Sequence, residues 1–153
     1  MKTLLHPCIE GADSFEISVP EEWRESVDGD MLVLSRGERG LGALQISFAP
    51  HLYRPGMHQA QLAEVAEHFA AKGATGPVFD RRTWRGLQPE VIGASAGATQ
   101  GEWSVHCFAI LHGPSLVFAT YVCRSADAPG ELDAAQAILR TATVRATAAE
   151  AAA

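Results

Sequence analysis

Between Ser14 and Val19 apolar and polar side chains alternate, with Phe15, Ile17 and Val19 on one parity and Glu16 and Ser18 on the other. That two-residue period marks a strand with one buried face. Pro20 ends it, and Glu21-Glu22-Trp23-Arg24 reads as a turn or a single helical turn that returns a large aromatic ring to the sheet. Asp28-Gly29-Asp30 is turn chemistry, and the apolar run Met31-Leu32-Val33-Leu34 predicts a strand buried on both faces. Arg36-Gly37-Glu38-Arg39-Gly40 predicts a hairpin, after which Leu44, Ile46 and Phe48 alternate with Gln45 and Ser47 as a third strand.

The period then changes. Over Met57–Lys72, the residues Leu62, Val65, Ala66 and Phe69 fall at i, i+3, i+4 and i+7, one apolar stripe of a helix, with Pro55-Gly56 before it and Gly73 after. From Val78 to Ser125 strand chemistry returns, and turn residues divide it into Phe79–Gly86, Glu90–Ala96, Glu102–Leu111 and Leu116–Cys123, most simply joined as an antiparallel meander. Asp127 as N-cap, Pro129 in the first turn and Glu131 beside the positive helix end open a second helix, Asp127–Arg140, with a stripe of Leu132, Ala135, either Ala137 or Ile138, and Leu139. Thr141–Arg145 follows as a short strand or arm, and the alanine-rich stretch 146–153 is expected to fray beyond a single domain of residues 1–145. The class is therefore α+β, a mostly antiparallel sheet of six or more strands flanked by two main helices. Its expected core holds Phe15, Ile17, Val19, Trp23, Ile46, Phe48, Leu62, Phe69, Phe118 and Leu139.

Two segments carry a resemblance. Phe15-Glu16-Ile17-Ser18-Val19-Pro20-Glu21-Glu22-Trp23 is similar to the F-x-I-x-x-P-x-x-W opening of the PsbP/DcrB-like superfamily. Leu116-Val117-Phe118-Ala119-Thr120-Tyr121, then Pro129 and a helix ending in Ala137-Ile138-Leu139-Arg140-Thr141, resembles that superfamily's last long strand and closing helix. The likeness spans roughly Asp13 to Val144 and implies an α/β/α sandwich. It also implies a role in binding another macromolecule without catalysis, as in the DcrB-like, Ran-binding import factor-like and Eag chaperone-like branches. No catalytic residue and no cofactor belong to the shared motif, so none is carried over.

Composition narrows the partners. The 153 residues hold 12 Lys plus Arg against 18 Asp plus Glu, a formal charge of -6, which opposes broad binding to nucleic acid. No apolar run approaches the ~18 residues of a membrane span, so membrane insertion is not expected. Cys8, Cys107 and Cys123 are odd in number and lack the CxxC spacing of a zinc site. The first eight residues lack the apolar stretch of about 7–15 residues that export needs, so a reducing, cytoplasmic setting is expected. A protein partner or a second copy of the chain is the expected company.

Candidate chemistry is sparse. His106 and His112, or His58 and His68, are too far apart on one element to share a metal, and no metal or cofactor is expected. Cys107 beside His106 is a nucleophile–base pair in text only, because neighbouring strand residues face opposite ways. Gly37–Gly42 joins two strands rather than leading into a helix, so it offers no phosphate cradle. Arg81-Arg82-Thr83-Trp84-Arg85 concentrates charge around an aromatic. Alternation puts Arg82 and Trp84 on one face and Arg81 and Arg85 on the other, which leaves two readings, a solvated strand or a protein-binding surface formed by Arg82, Trp84 and Arg85. Two rival classes stand beside a binding module with chaperone-like action of the Eag type. One is an enzyme using Cys107 or Cys123 with a histidine base, and the other is a small-ligand carrier lined by Trp23, Trp84, Trp103 and Phe108.

Overall fold

The computed structural model describes residues 1–7, 14–36, 42–48 and 54–145. Along the chain run β1 (Lys2–Pro7), β2 (Ser14–Val19), β3 (Arg24–Asp28), β4 (Met31–Ser35), β5 (Gly42–Phe48), α1 (Gln59–Ala71), β6 (Phe79–Arg85), β7 (Val91–Gln100), β8 (Trp103–His112) and β9 (Ser115–Arg124). A 3-10 turn at Ser125–Asp127 leads into α2 (Ala128–Leu139), and β10 (Thr143–Arg145) follows. Seven strands form one antiparallel sheet in the order β3-β4-β5-β9-β8-β7-β6. The other three form a small antiparallel sheet in the order β1-β2-β10.

Alternation in the central strands sorts the core into two faces. Phe108 and Ile110 of β8, with Val117, Ala119 and Tyr121 of β9, meet Phe15, Ile17 and Val19 of β2 and Leu132, Ala135, Ile138 and Leu139 of α2. On the opposite face Cys107, Ala109 and Leu111 lie with Leu62, Ala66 and Ala70 of α1. The large sheet is thus covered by α1 on one side and by α2 with the small sheet on the other. Under α1 the sheet carries Ala94, Ala96 and Ala98 of β7, and these small side chains let the helix axis approach closely. At its start, the His58 N–H donates to Gln61 Oε1 at 3.0 Å, satisfying a donor the first helical turn leaves open.

The large antiparallel sheet, its two helices and the meander from β6 to β9 match the sequence expectation. Several local features differ. Two strands, β1 and β3, carried no period: all five residues of β3 are exposed, so nothing forces an alternation. The run Met31-Leu32-Val33-Leu34 is fully buried on one face, through Leu32 and Leu34, and half-buried on the other, through Met31 and Val33. Strand β7 continues through Gly97 to Gln100 where a turn was expected, since Gly97 pairs with His106 in the ladder. Of the expected core, Phe48, Phe69 and Phe118 are half-buried and the others are buried. Residues 37–41 of the expected hairpin and the alanine-rich tail lie outside the described residues.

Trp23 is the largest fully buried side chain and joins β2 to the large sheet through the cluster it shares with Leu32, Leu34 and Leu44. Trp23→Ala is expected to cost about 3–5 kcal/mol, read as a lower urea midpoint with little change in slope. An unchanged midpoint would contradict this packing.

Candidate functional site

Strand β6 is an edge strand, and its cations are already engaged within the chain. The Arg81 Nε donates to Glu67 Oε1 on α1 at 2.7 Å. Arg82 points the other way, donating to Asp80 Oδ1 at 2.9 Å and, on α2, to Asp133 Oδ1 and Gln136 Oε1, both at 3.0 Å. A bulge between Phe79 and Arg82, with Asp80 at a φ of 52°, aims the two arginines at different helices. The split expected from alternation is therefore present, but its use is internal: each arginine ties the edge to one covering helix.

Trp84 of the expected surface is buried. The ring is only 8% exposed and lies directly over Gly93, where a Cβ would fall inside the van der Waals envelope of the six-membered ring. It faces α2 and the interior, so it offers nothing to a partner. Arg82 is half-buried, and Arg85 stays exposed, its Nη1 donating to the Pro89 carbonyl at 3.1 Å. The structure does not bring these three residues into one exposed patch. Nor do Trp23, Trp84, Trp103 and Phe108 line a common pocket. Trp23, Trp84 and Phe108 are core, whereas Trp103 is 43% exposed on the other face of β8, beneath the Arg124 guanidinium at 5.3 Å.

The thiols and imidazoles are equally divided. Cys107 and His106 project to opposite faces of the sheet, and burial pushes the Cys107 thiol up to about 11, away from the thiolate a nucleophile needs. Cys123 is fully buried on the α2 face, so the two described cysteines cannot meet. His106 is buried, with Nε2 3.1 Å from Ser104 Oγ. Burial holds its imidazolium below the ordinary 6.5, with Asp80 opposing and Arg82 adding to the shift. Among the described residues no cluster of histidine, cysteine, aspartate or glutamate is arranged to hold a metal ion.

A cavity lies elsewhere, where the turn between β6 and β7 meets the small sheet. It holds about 450 Å³ and is walled by Met1, by Glu16 and Ser18 of β2, His112 of β8, Thr141, Thr143 and Val144 after α2, and Leu87 and Gln88 of the turn. Its parts are held from several directions. The Leu87 N–H donates to the Arg140 carbonyl at 2.9 Å, and Arg140 Nε donates to the Arg85 carbonyl at 3.0 Å, fixing the turn to the end of α2. Thr141 Oγ1 accepts from the Ser18 N–H at 2.9 Å and lies 2.6 Å from the Ile138 carbonyl, to which it donates.

His112 Nδ1 accepts the Val144 N–H at 2.9 Å, which leaves the neutral ring's proton on Nε2, 3.8 Å from Glu90 Oε1. The result is a cleft with hydroxyl groups and one carboxylate, Glu16, on its walls and an exposed leucine at its edge, Leu87 being 68% exposed. Alternation and helical spacing do not disclose this cleft. Its one sequence signal is Leu87, a large apolar residue inside the turn Gly86-Leu87-Gln88-Pro89.

No protein-family model matches the chain, and no curated protein matches it. Solved structures do. The cyanobacterial PsbP protein CyanoP from Synechocystis sp. PCC 6803 superposes with a TM-score of 0.57 at 8% identity, over 94% of this chain and 92% of that one. LpqN, described as involved in cell envelope biogenesis of Mycobacterium tuberculosis, superposes with a TM-score of 0.54 at 12% identity, over 94% of this chain and 90% of that one. The chain has the PsbP/DcrB-like fold. At these identities what is shared with the PsbP/DcrB-like structures is the layered scaffold, and the residues of the cleft are this chain's own. Among the described residues no helix is long and apolar enough to cross a membrane.

Two outcomes follow from the buried groups. Because the unfolded chain protonates His106 near 6.5 while the folded chain resists it, stability falls as pH drops through 6.5 towards the lower folded value. His106→Gln is expected to flatten that part of the melting-temperature profile, and a variant with the wild-type slope would refute the assignment. Cys107 is expected to react with a thiol reagent only at the rate of unfolding, and fast labelling of native protein would contradict its burial.

Proposed function

We propose that the chain is a non-enzymatic accessory module that binds a polypeptide segment of a protein partner in the cleft beside Leu87. The observation that carries the reading is the cleft itself, an open cavity of about 450 Å³ that joins an exposed leucine to hydrogen-bonding groups at one rim of the sandwich. Apolar anchors ringed by polar groups are the chemistry of peptide recognition. The hydroxyl-bearing wall and Glu90 near His112 favour a segment carrying a hydrogen-bond donor beside an apolar side chain. Arg85, two residues from Leu87, is exposed, with its Nη1 donating to the Pro89 carbonyl of the same turn.

The fold supports the reading by analogy alone, through the layered scaffold shared with CyanoP and LpqN. The raised pKa of Cys107 weighs against the rival thiol enzyme. A chaperone-like action, in which the cleft shields an apolar stretch of a client, is the specific form this binding takes in the proposal. The two described thiols, buried on opposite faces, are compatible with a reducing compartment, and the proposal takes the cytoplasm as the module's setting.

The test is site-specific photo-cross-linking in the producing cell, with the reactive residue at Leu87 and, as control, at exposed Glu64 on α1. A defined protein joined through Leu87 and absent from Glu64 is expected. Leu87→Asp should then weaken binding of that purified protein about tenfold, equivalent to about 1.4 kcal/mol. Equal cross-linking at both positions, or affinity unchanged by Leu87→Asp, would overturn the proposal.

A further inference from the structure

The two edges of the seven-stranded sheet are built differently. Strand β6 is closed by its bulge, by Asp80 at positive φ and by arginine ties to both helices. Strand β3 pairs only with β4, and among the described residues no strand meets its outer edge. Every residue of Arg24-Glu25-Ser26-Val27-Asp28 is exposed, Val27 by 61%. An open edge with an exposed β-branched residue is a template for another strand.

The hairpin geometry fixes what that edge offers. Strands β3 and β4 are joined by the two residues Gly29 and Asp30, with Gly29 at a φ of 60° in the first central position and Asp30 outside the positive-φ region, the pattern of a type II′ turn. Such a loop closes on a hydrogen-bonded pair, here Asp28 with Met31. Alternation then makes Ser26–Val33 and Arg24–Ser35 hydrogen-bonded pairs as well. The N–H and C=O groups of Glu25 and Val27 therefore point away from β4, towards the open edge.

We propose that this edge receives a second copy of the same chain, β3 adding antiparallel to β3 about a two-fold axis at Ser26. Three registers let the outward-pointing groups of Glu25 and Val27 find partners. Centring on Glu25 sets that carboxylate against its own copy. Centring on Val27 overlaps only the last part of the strand. Centring on Ser26 pairs Glu25 with Val27 of the partner subunit in both directions, so all the outward backbone groups of these residues are satisfied. The same register sets Arg24 opposite Asp28 of the partner subunit, and Asp28 opposite Arg24 of the partner subunit, at non-hydrogen-bonded positions where side chains approach most closely.

The strand is thus complementary in charge to its own reverse, and this argues for a second copy over a foreign strand. On the other face of the ribbon, Lys2 holds Glu25 at 2.9 Å and keeps that carboxylate from facing an uncompensated edge. The joined strands would continue the sheet of one protomer into that of its partner. A five-residue seam is small against the ~1,000 Å² of a stable interface, so the dimer is weak and concentration-dependent. The cleft beside Leu87 takes no part in it, and the two proposals stand or fall separately.

The test is sedimentation equilibrium of the full chain up to near-millimolar concentration, with circular dichroism to confirm that each variant is folded. The wild type is expected to show a reversible monomer–dimer equilibrium. Val27→Pro removes an outward donor without touching a β3–β4 hydrogen bond and should abolish dimerisation. Arg24→Asp and Asp28→Arg should each be monomeric alone, and an equimolar mixture of the two should form a heterodimer. A wild type that stays monomeric would leave the edge to a foreign strand and overturn the proposal. So would dimerisation that survives Val27→Pro, or folded charge variants whose mixture fails to associate.

Discussion

A carboxylate excluded from water sets the position of α2 on the sheet. Glu131 is 1% exposed, and its carboxylate accepts the Tyr121 hydroxyl at 2.7 Å and the Gly42 N–H at 3.2 Å while Arg36 Nη1 lies 3.5 Å away. A buried charge costs several kcal/mol unless it is paired and hydrogen-bonded, so the helix can sit only where these donors converge. They come from different parts of the sheet: Tyr121 from β9, Gly42 from the start of β5, and Arg36 from just beyond the end of β4. The burial that makes Glu131 demanding also lifts the Tyr121 phenol well above its ordinary range, with the Glu131 hydrogen bond adding to it, so the hydroxyl remains a donor. With α2 located at this end, its far end is placed as well, and there Arg140 and Thr141 hold the β6–β7 turn and β2 to form the cleft.

The two sides of the large sheet differ in packing, although each includes aromatic rings, Phe69 lying 4.8 Å from Phe118 on the α1 side. Beneath α1 the strands offer alanines, and the helix answers with Leu62, Ala66 and Ala70. On the α2 side bulk comes from rings: Phe15 stands edge-on to Phe48 at 5.7 Å, and Trp84 fills the hollow above Gly93. Alternation along β6 decides which arginine serves which layer. Arg81 reaches Glu67 across the thin side, and Arg82 reaches Asp133 and Gln136 across the thick one. Such exposed ion pairs add little stability one at a time, about 0–1 kcal/mol each, but together they leave β6 a poor template for further strands.

What the amino-acid pattern discloses and what it hides follow from one distinction. Periodicity reports that a face is buried, so β2, β5, β8, β9 and both helices were legible from it. It does not report which layer does the burying. Arg82 and Trp84 were placed on the same face of β6, yet only the position of α2 makes that face interior. Glu131 reads as an ordinary acidic residue in a first helical turn, and no local signal says that Tyr121, ten positions earlier, will take it into the core. Strands at edges, such as β3, escape the pattern because both their faces see solvent. The cleft is hidden for a similar reason, since its walls come from β2, β8, β10 and a turn that are distant in sequence.

The small sheet brings together residues far apart along the chain. β10 pairs with β2 through Phe15 and Val144, and Thr141 bridges to Ser18 across a separation of 123 positions. By contrast β6, β7, β8 and β9 are successive hairpins that need only near neighbours to form. On a ribosome that meander can close while the chain is still being made, whereas β2, synthesised early, must wait for β10 before its second edge is filled. Loop closure over so long a span is slow relative to hairpin formation. In the interval Phe15, Ile17 and Val19 form an apolar strand with one partner missing, so the late step of folding is also the one most exposed to mispairing.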